Sequence, residues 1–308
     1  MDVRLQKLLE SIRSVIVGED ENIENIIIAM LSGGHVLLEG LPGVGKTKMV
    51  LALSKSMDGV FKRIQFTPDV LPSDITGYYL YNRNSGNMDY RSGAVECNIL
   101  LGDEINRASP RVQSSLLEAM EEKQVTIEGE TRRLPEPFTV IATQNNIENE
   151  GTYPLPEAQL DRFFMKLYIT YPKREEWKRI LRQQVADNPV ENLKPTITTQ
   201  EFIELKAKVD EVVVSDNLRD YVLDLIESIN SHDAVKVGIN PRGSIALIKG
   251  AKACALLDNR DYVLPKDIHK IIVPIIGHRI YLKSGHDNSS NNIRRILGES
   301  LKKIKATV

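Results

Sequence analysis

The chain has 308 residues, of which 42% are hydrophobic and 27% charged, and its formal net charge at pH 7 is -2. This composition is that of a globular protein with a sizeable core and room for two domains. The near balance of charge gives no global attraction to nucleic acid or to an anionic membrane, and only two cysteines, far apart, argue against a disulfide framework. No apolar run is long enough to span a membrane and no signal pattern opens the chain, so we expect a cytoplasmic protein without a membrane segment.

Apolar residues at helical spacing predict two helices in the first part of the chain, over residues 3–16 and 19–32. The loop between them contains Val17 and Gly18. It precedes a phosphate-binding pattern, so these two residues either flank a nucleotide base or form an ordinary helix junction, and we include them among the candidate binding residues.

The most informative pattern is a Gly-rich run that joins a predicted strand at residues 35–39 to a predicted helix from residue 47. It fits G-x-x-x-x-G-K-[ST], and its glycines allow successive backbone N–H groups to point at a phosphate. Lys46 can reach the β- and γ-phosphates, and the Thr47 hydroxyl can bind Mg²⁺. Lys48 is more typical of a solvated helix residue. The candidate nucleotide-binding residues of this run are Gly40, Leu41, Pro42, Gly43, Val44, Gly45, Lys46, Thr47 and Lys48.

A stretch rich in proline, glycine and tyrosine follows the next predicted strand, which covers residues 61–66. Its pattern over residues 67–96 predicts a helix interrupted by a hairpin, with the turn at residues 82–87. The tyrosines of this hairpin could contact a client protein or nucleic acid, or they could pack against each other. The sequence favours packing.

A continuous apolar strand over residues 97–102 runs directly into two acids, Asp103 and Glu104. An acid at the end of such a strand can hold Mg²⁺ through water, and an acid beside it can orient and activate the attacking water. We therefore predict that Asp103 is the metal-binding acid and that Glu104 is catalytic.

Polar residues follow another predicted core strand, which covers residues 138–143. In open α/β sheets such residues face the ligand crevice, so Asn145 is a candidate sensor of the γ-phosphate or of the attacking water. The alternative is a turn cap. A helix over residues 114–123 and a small hairpin over residues 125–134 precede this strand, and a fifth strand covers residues 163–169.

The pattern changes beyond Pro172, where strands give way to helical spacings. We predict a domain boundary there, with a nucleotide-binding domain over residues 1–172 and a helical domain over residues 173–308. Asn240 reads as an N-cap, which places Arg242 in the first turn of a helix, where its charge opposes the helix dipole. This unfavourable position hints at function, although an exposed arginine there is tolerable. The helices predicted in this domain cover residues 177–185, 202–209, 218–229, 245–257 and 268–276.

Together these motifs resemble those of the AAA+ ATPases, and specifically of the MoxR family. The most specific match is the run Glu-Gly-Thr-Tyr-Pro-Leu-Pro-Glu-Ala-Gln-Leu-Asp-Arg-Phe at residues 150–163. The resemblance spans nearly the whole chain. Its other parts lie at residues 34–40, 103–108, 116–122 and 142–145, at Arg242 and at residues 261–263.

The resemblance implies an α/β fold, in which a five-stranded parallel sheet flanked by helices carries a C-terminal all-α lid and a hairpin is inserted near residues 74–96. It implies Mg²⁺-dependent ATP hydrolysis by a homo-oligomeric ring, usually a hexamer. The partners it implies are a protein client and a protein with a von Willebrand factor A domain, for chaperone-like remodelling or activation. Carried over to this sequence, Lys46 is the Walker A lysine, Asp103 and Glu104 are the Walker B acids, Asn145 is sensor 1, Arg162 is the arginine finger and Arg242 is sensor 2.

Three alternatives compete with this interpretation. A kinase or GTPase would share the Gly-rich run, but the chain has no Asn-Lys-x-Asp guanine motif. A DNA-acting motor or loader is the main rival, because related AAA+ branches carry similar hairpins, although we do not expect nucleic acid as the partner. A scaffold that merely binds ATP conflicts with the presence of both Lys46 and Glu104. For Arg162, the alternative to a finger is a structural pair with an acid such as Asp161 or Glu157.

Overall fold

A computed structural model describes residues 1–145, 151–184, 189–284 and 289–304, without the side chains of residues 183 and 184. Val185, the last residue of one predicted helix, and Glu150, the first residue of the most specific motif, lie outside the described residues.

The part of the chain up to residue 169 alternates helices and strands. It opens with helices α1 (Val3–Val15) and α2 (Asp20–Leu31), close to the predicted bounds. The elements that follow are β1 (Val36–Gly40), α3 (Lys46–Ser56), β2 (Met57–Asp58), β3 (Phe61–Gln65), α4 (Pro72–Thr76), β4 (Gly77–Asn82), β5 (Asn87–Ser92), β6 (Ile99–Asp103), α5 (Pro110–Glu122), β7 (Gln124–Ile127), β8 (Glu130–Arg133), β9 (Thr139–Gln144), α6 (Glu157–Leu160) and β10 (Met165–Ile169).

Five of these strands form one parallel sheet in the order β10-β1-β9-β6-β3. Its central strands are continuous apolar runs because helices cover both faces of the sheet. Val36 and Leu38 of β1 belong to the apolar core on one face, and Leu37 belongs to the core on the other. The predicted five-stranded parallel sheet is confirmed, and the carboxyl ends of all its strands share one edge, the carboxyl edge.

His35 lies at the opposite edge of the sheet, the amino edge, where the parallel strands begin. Its Nδ1 accepts a hydrogen bond from the Val140 N–H at 2.9 Å, and its Nε2 lies 3.0 Å from the Met120 carbonyl oxygen. Helix α5 follows β6, which ends at the carboxyl edge, so this contact shows that α5 runs back along the sheet. The last turn of α5 therefore lies at the amino edge.

Two hairpins project from the sheet layer. The inserted hairpin pairs β4 with β5 after the short helix α4, as predicted, and β7 pairs with β8. Tyr79 and Tyr90 pack together with ring centroids 5.5 Å apart, and the Arg132 guanidinium lies 4.0 Å above the Tyr90 ring. Packing is thus confirmed for these two tyrosines. Tyr78 and Tyr81, however, are 45% and 57% exposed, so the packing prediction was wrong for them.

The rest of the chain is mainly helical. Its elements are α7 (Arg174–Gln184), β11 (Ile197–Thr198), α8 (Thr199–Glu211), α9 (Asp216–Asn230), β12 (Val235–Val237), α10 (Pro241–Leu257), α11 (Pro265–Ile276), β13 (Tyr281–Leu282) and α12 (Ser290–Lys303). The Asn240 side chain accepts the Gly243 N–H at 2.8 Å and so caps α10, as predicted. The short strands and α12 were not predicted. Strand β11 pairs with β2, and β12 with β13.

One apolar core joins the sheet to these C-terminal helices. It contains Leu38 of β1, Ile26 of α2, Leu247 of α10 and Ile271 of α11, all almost completely buried. A salt bridge of 2.6 Å between Lys270 and Glu24 links α11 to α2 at the surface of this core. The C-terminal helices therefore have a defined position against the sheet.

Within the described ranges, no helix has the length and apolar character needed to cross a membrane.

Candidate active site

The Gly-rich run lies between the carboxyl end of β1 and the first turn of α3. Gly43 and Gly45 have φ values of +78° and +94°, a backbone region that residues with a Cβ rarely adopt. A Cβ built on either glycine would meet no atom within 4 Å, so the loop surrounds open space. This is the geometry of a phosphate cradle at the N-terminus of a helix.

Lys46 directs its ammonium group across this cradle. The side chain is buried, and Nζ donates hydrogen bonds to the carbonyl oxygen of Gly40 at 2.6 Å and to Oδ1 of Asn145 at 2.5 Å. Burial lowers the pKa of Lys46, while the nearby carboxylates of Asp103 and Glu104 act in the opposite direction. A polyphosphate in the cradle would give Nζ anionic acceptors in place of these neutral carbonyl and amide oxygens, and the hydrogen bonds would be stronger.

Asp103 is almost completely buried at the end of β6. Its carboxylate accepts the Thr143 hydroxyl at 3.2 Å and the Arg63 Nε at 2.8 Å, and Thr47 Oγ1 lies 3.5 Å from both of its oxygens. Mg²⁺ is usually held by one or two protein oxygens, substrate phosphates and water. The hydroxyl of Thr47 and the carboxylate of Asp103 fit that requirement, because they lie side by side at the mouth of the cradle. Among the described residues, no cluster of three or more His, Cys, Asp or Glu side chains could hold a metal ion by itself.

Glu104 adopts a left-handed backbone conformation, with φ +59° and ψ +52°. Neighbouring residues hold this strained conformation in place, since the Glu104 N–H donates to Thr143 Oγ1 at 2.9 Å. The carboxylate accepts Asn145 Nδ2 at 2.9 Å and Gln65 Nε2 at 3.0 Å, and it pairs with Arg107 at 3.2 Å. Four surrounding residues thus fix the direction of one acid beside the cradle.

Asn145 joins the two halves of the site, because its side chain bonds Lys46 through Oδ1 and Glu104 through Nδ2. The residue lies at the end of β9, between β1 and β6 in the sheet, which explains how one amide reaches both. The supporting residues Arg63, Gln65, Arg107 and Thr143 were missed in the sequence. For Gln65 and Thr143, the position at the carboxyl end of a predicted strand was an available signal.

A shallow pocket borders the cradle. It is lined by Val17, Val44, Lys48, Pro172 and Ile180, among other residues. Gly18, with φ +84°, turns the chain beside this pocket and lines an adjoining cleft with Val17 and Glu176. The pocket is mostly apolar and opens beside the first turns of α3. Lys48 borders it, and burial lowers the Lys48 pKa, so this residue is not the freely solvated lysine that its sequence position suggested.

The two predicted arginines lie elsewhere. Arg162 Nε is 3.0 Å from Glu121 Oε2, and Arg242 bonds the other oxygen of the same carboxylate at 2.5 Å. Glu121 is in the last turn of α5, and Arg162 precedes β10, so the cluster lies at the amino edge. The cradle is at the carboxyl edge, on the order of 20 Å away by the rise of a strand. Within the described residues, no hydrogen bond or ion pair joins either arginine to the cradle.

The structure therefore brings together Lys46, Glu104 and Asn145 with Thr47 and Asp103, and it groups Arg162 with Arg242 at the other edge. Within one chain Arg162 pairs with an acid, as the structural alternative expected, but the acid is Glu121 and neither of the two examples, Asp161 and Glu157.

Comparison with known proteins gives a consistent result. Residues 35–165 match the model of the ATPase family associated with various cellular activities (AAA), and residues 227–296 match an AAA lid domain. The chain is 47% identical to the uncharacterised protein YeaC of Bacillus subtilis, over 99% of this chain and 95% of that protein. It is 41% identical to the chaperone MoxR1 of Mycobacterium tuberculosis, over 90% and 76% of the two chains, and 30% identical to protein MoxR of Methylorubrum extorquens, over 88% and 86%.

A solved structure supports the same fold. The crystal structure of a protein from Cytophaga hutchinsonii, named as a candidate ATPase, aligns with a TM-score of 0.90 and 38% identity. The alignment covers 99% of this chain and 96% of that one.

Proposed function

Since this chain belongs to the MoxR family of AAA+ ATPases and hydrolyses ATP, we propose that its hydrolysis depends on Mg²⁺ and serves chaperone-like remodelling or activation of partner proteins. The observation that carries the catalytic part is the Asn145 side chain, which connects the cradle lysine to the acid beside it.

The proposed roles follow from position and chemistry. Lys46 and the cradle N–H groups bind the β- and γ-phosphates of ATP, and Val17, Gly18 and Lys48 flank the base. Thr47 and Asp103 hold Mg²⁺, which would neutralise charge on the phosphates. Glu104 orients a water for attack on the γ-phosphate and accepts its proton. Asn145 holds the side chains of Glu104 and Lys46 in place relative to the phosphate.

We further propose that Arg162 and Arg242 act in trans, in the site of a neighbouring subunit. Both are too far from their own cradle, and both are partly exposed, with 33% and 47% of the side chain accessible. In the proposed head-to-tail ring, the amino edge of one subunit would lie against the carboxyl edge of the next. The guanidinium groups would then stabilise charge that develops on the γ-phosphate. The ring is proposed to be a hexamer.

The inserted hairpin is the proposed contact for a protein client or for a partner with a von Willebrand factor A domain. Leu80, Tyr81 and Met88 are each at least 50% exposed, and Tyr81 and Met88 face each other across the strands. Exposed apolar side chains grouped on one element favour a protein surface over nucleic acid. A cytoplasmic location belongs to the same proposal.

The catalytic assignment predicts different defects for two variants. Glu104→Gln should keep ATP binding and lower hydrolysis by about a hundredfold or more, because the amide cannot accept the proton of the attacking water. Lys46→Ala should weaken both binding and hydrolysis. Binding is measured by equilibrium titration with ATP, and hydrolysis by phosphate release.

Glu118→Gln, at an exposed position on α5, is the matched control and should behave as the wild type. Hydrolysis by Glu104→Gln at the wild-type rate would show that Glu104 is not the catalytic acid.

A further inference from the structure

The turn that carries Arg162 connects α6 to β10 and lies against the end of α11. Its backbone carbonyl groups lie outside the sheet ladder, because β10 begins only at Met165. Buried carbonyl groups need donors from elsewhere in the chain. His278 Nε2 donates to the Phe163 carbonyl oxygen at 3.1 Å. The other donors come from one side chain of the C-terminal helical region.

That side chain is Arg279, which is 3% exposed. Its Nε donates to Asp161 Oδ1 at 2.8 Å, and one terminal nitrogen donates to the carbonyl oxygens of Asp161 at 3.1 Å and Phe163 at 2.8 Å. The other terminal nitrogen donates to the carbonyl oxygens of Phe164 at 3.3 Å and of Ile275. Arg279 thus holds the residue before Arg162 and the two residues after it.

Asp161 extends the same contact to Arg242. Its second oxygen accepts Asn240 Nδ2 at 3.0 Å and lies 3.6 Å from an Arg242 guanidinium nitrogen. Asn240 is the cap of α10, the helix whose first turn carries Arg242. Asp161, fixed by Arg279, therefore touches both the start of α10 and the turn of Arg162.

We propose that Arg279 is a positioning residue that aligns Arg162 and Arg242 for the active site of the neighbouring subunit. The proposal rests on the trans role proposed above. The planar guanidinium is required, since it donates to five acceptors in fixed directions and the point charge of a lysine cannot. Loss of this alignment should lower the rate in the neighbour without changing the neighbour's affinity for ATP.

The test uses two kinds of subunit: donors, which contribute Arg162 and Arg242 to a neighbour's site, and receptors, whose own cradle hydrolyses ATP. Donor subunits carry Lys46→Ala, so their own cradle is inactive, and receptor subunits carry Arg162→Ala, so only their cradle is active. Mixed rings, isolated through a tag on each subunit type, should recover hydrolysis. Donors that also carry Arg279→Lys should recover about ten- to a hundredfold less, with a lower kcat and an unchanged KM for ATP.

Arg260→Lys in the donor is the matched control. Arg260 is also largely buried, at 13% exposure, and it pairs with Asp267 at 2.6 Å, at the other end of α11 from the Arg162 turn. Donors with this change should restore hydrolysis as fully as donors with Lys46→Ala alone. A purely structural role of Arg279 would not distinguish the two lysine variants in folded, co-assembled rings.

A second donor variant, Asp161→Asn, serves if Arg279→Lys does not fold. It keeps the side-chain size and the carbonyl acceptors while removing the charge that faces Arg279 and Arg242, and it should also lower kcat. Full recovery with donors carrying either folded variant would overturn the positioning role. No recovery with donors carrying Lys46→Ala alone would overturn the trans role itself, and the positioning role with it.

Discussion

His35 is a buried histidine whose protonation we expect to destabilise the fold. Its imidazole accepts the Val140 N–H through Nδ1, so Nε2 must carry the proton that the Met120 carbonyl accepts. Desolvation is the main reason that the pKa of His35 falls from 6.5 to about 4. A second proton would have to sit on Nδ1, facing an N–H donor.

Stability should therefore decrease as the pH falls from 6.5 to about 4. In that window the unfolded chain binds a proton at His35 that the folded chain does not, and by linkage the free energy of unfolding decreases, by up to about 3 kcal/mol. His35→Gln should remove this part of the decrease, leaving the part due to the buried His278, whose pKa is also lowered by burial. Urea unfolding across this range measures both slopes.

Comparison at pH 8 serves as the control, because His35 is neutral in both states there and the variant reports only the packing cost. Parallel stability curves for wild type and His35→Gln between pH 6.5 and 4 would contradict the prediction.

The residues of the candidate site were predictable to the extent that they follow strands. Glu104 and Asn145 follow apolar strands within two residues, and Lys46 ends the Gly-rich run that follows β1. Parallel strands bring their carboxyl ends to one edge. Glu121 had no such signal. Its partners are 41 and 121 positions away in sequence, and only the return of α5 along the sheet brings them together.

At the scale of elements, helix α7 contributes a wall of the proposed base pocket through one residue. Ile180 lines this pocket, whereas its neighbour Leu181 is 59% exposed. Ile180→Ala should weaken ATP binding by roughly three- to tenfold, because apolar contact with the base is lost. Leu181→Ala is the matched control and should bind ATP as the wild type does. Equal affinities for all three proteins would place the base elsewhere.

The inserted hairpin offers a second prediction at this scale. Replacing residues 81–88 with Asn-Gly joins Leu80 and Asp89, which already face each other, through a turn that suits a hairpin. Basal hydrolysis should stay near normal, because the exchange leaves the candidate site intact. Stimulation of the ATPase by a von Willebrand factor A domain partner should be lost.

The control for the hairpin keeps the exposed apolar residues. Replacing only residues 83–86 with Asn-Gly shortens the turn and retains Tyr81 and Met88, so stimulation should persist. Tight, salt-sensitive DNA binding that disappears with the longer replacement would instead support a DNA-acting motor.

Most of the longer helices were predictable from the sequence, whereas α12 and the shortest strands were not. Helix α12 has Ile293, Ile296 and Leu297 buried at helical spacing. Its several arginines and lysines, however, are equally typical of a solvated basic segment, and they obscured this spacing. Strands β12 and β13 have three and two residues, too few for any periodicity, and their pairing depends on how the helices around them pack. The domain boundary near Pro172 stays a prediction.

For the whole molecule, the separation of the two edges predicts that hydrolysis depends on assembly. The cradle of a lone subunit lacks Arg162 and Arg242 of a neighbouring subunit. Turnover per subunit should therefore rise with protein concentration through the range in which the ring forms. Arg162→Ala should match the wild type where both are monomers, and it should be slower by on the order of a thousandfold in the assembled state. Phosphate release and light scattering on the same samples measure the two quantities.

The control is Glu118→Gln, which should follow the wild-type curve. A wild-type turnover that is already maximal where light scattering shows monomers would mean that each chain completes its own site.

The left-handed backbone of Glu104 has a consequence for protein engineering. Holding a glutamate there costs on the order of 1–3 kcal/mol, which glycine or asparagine would largely avoid. A screen that selects only for heat resistance would therefore favour replacement of the very carboxylate that the reaction is proposed to need. Thermostable variants of this chain should be selected with turnover measured in parallel, since at this position resistance to heat and catalytic competence oppose each other.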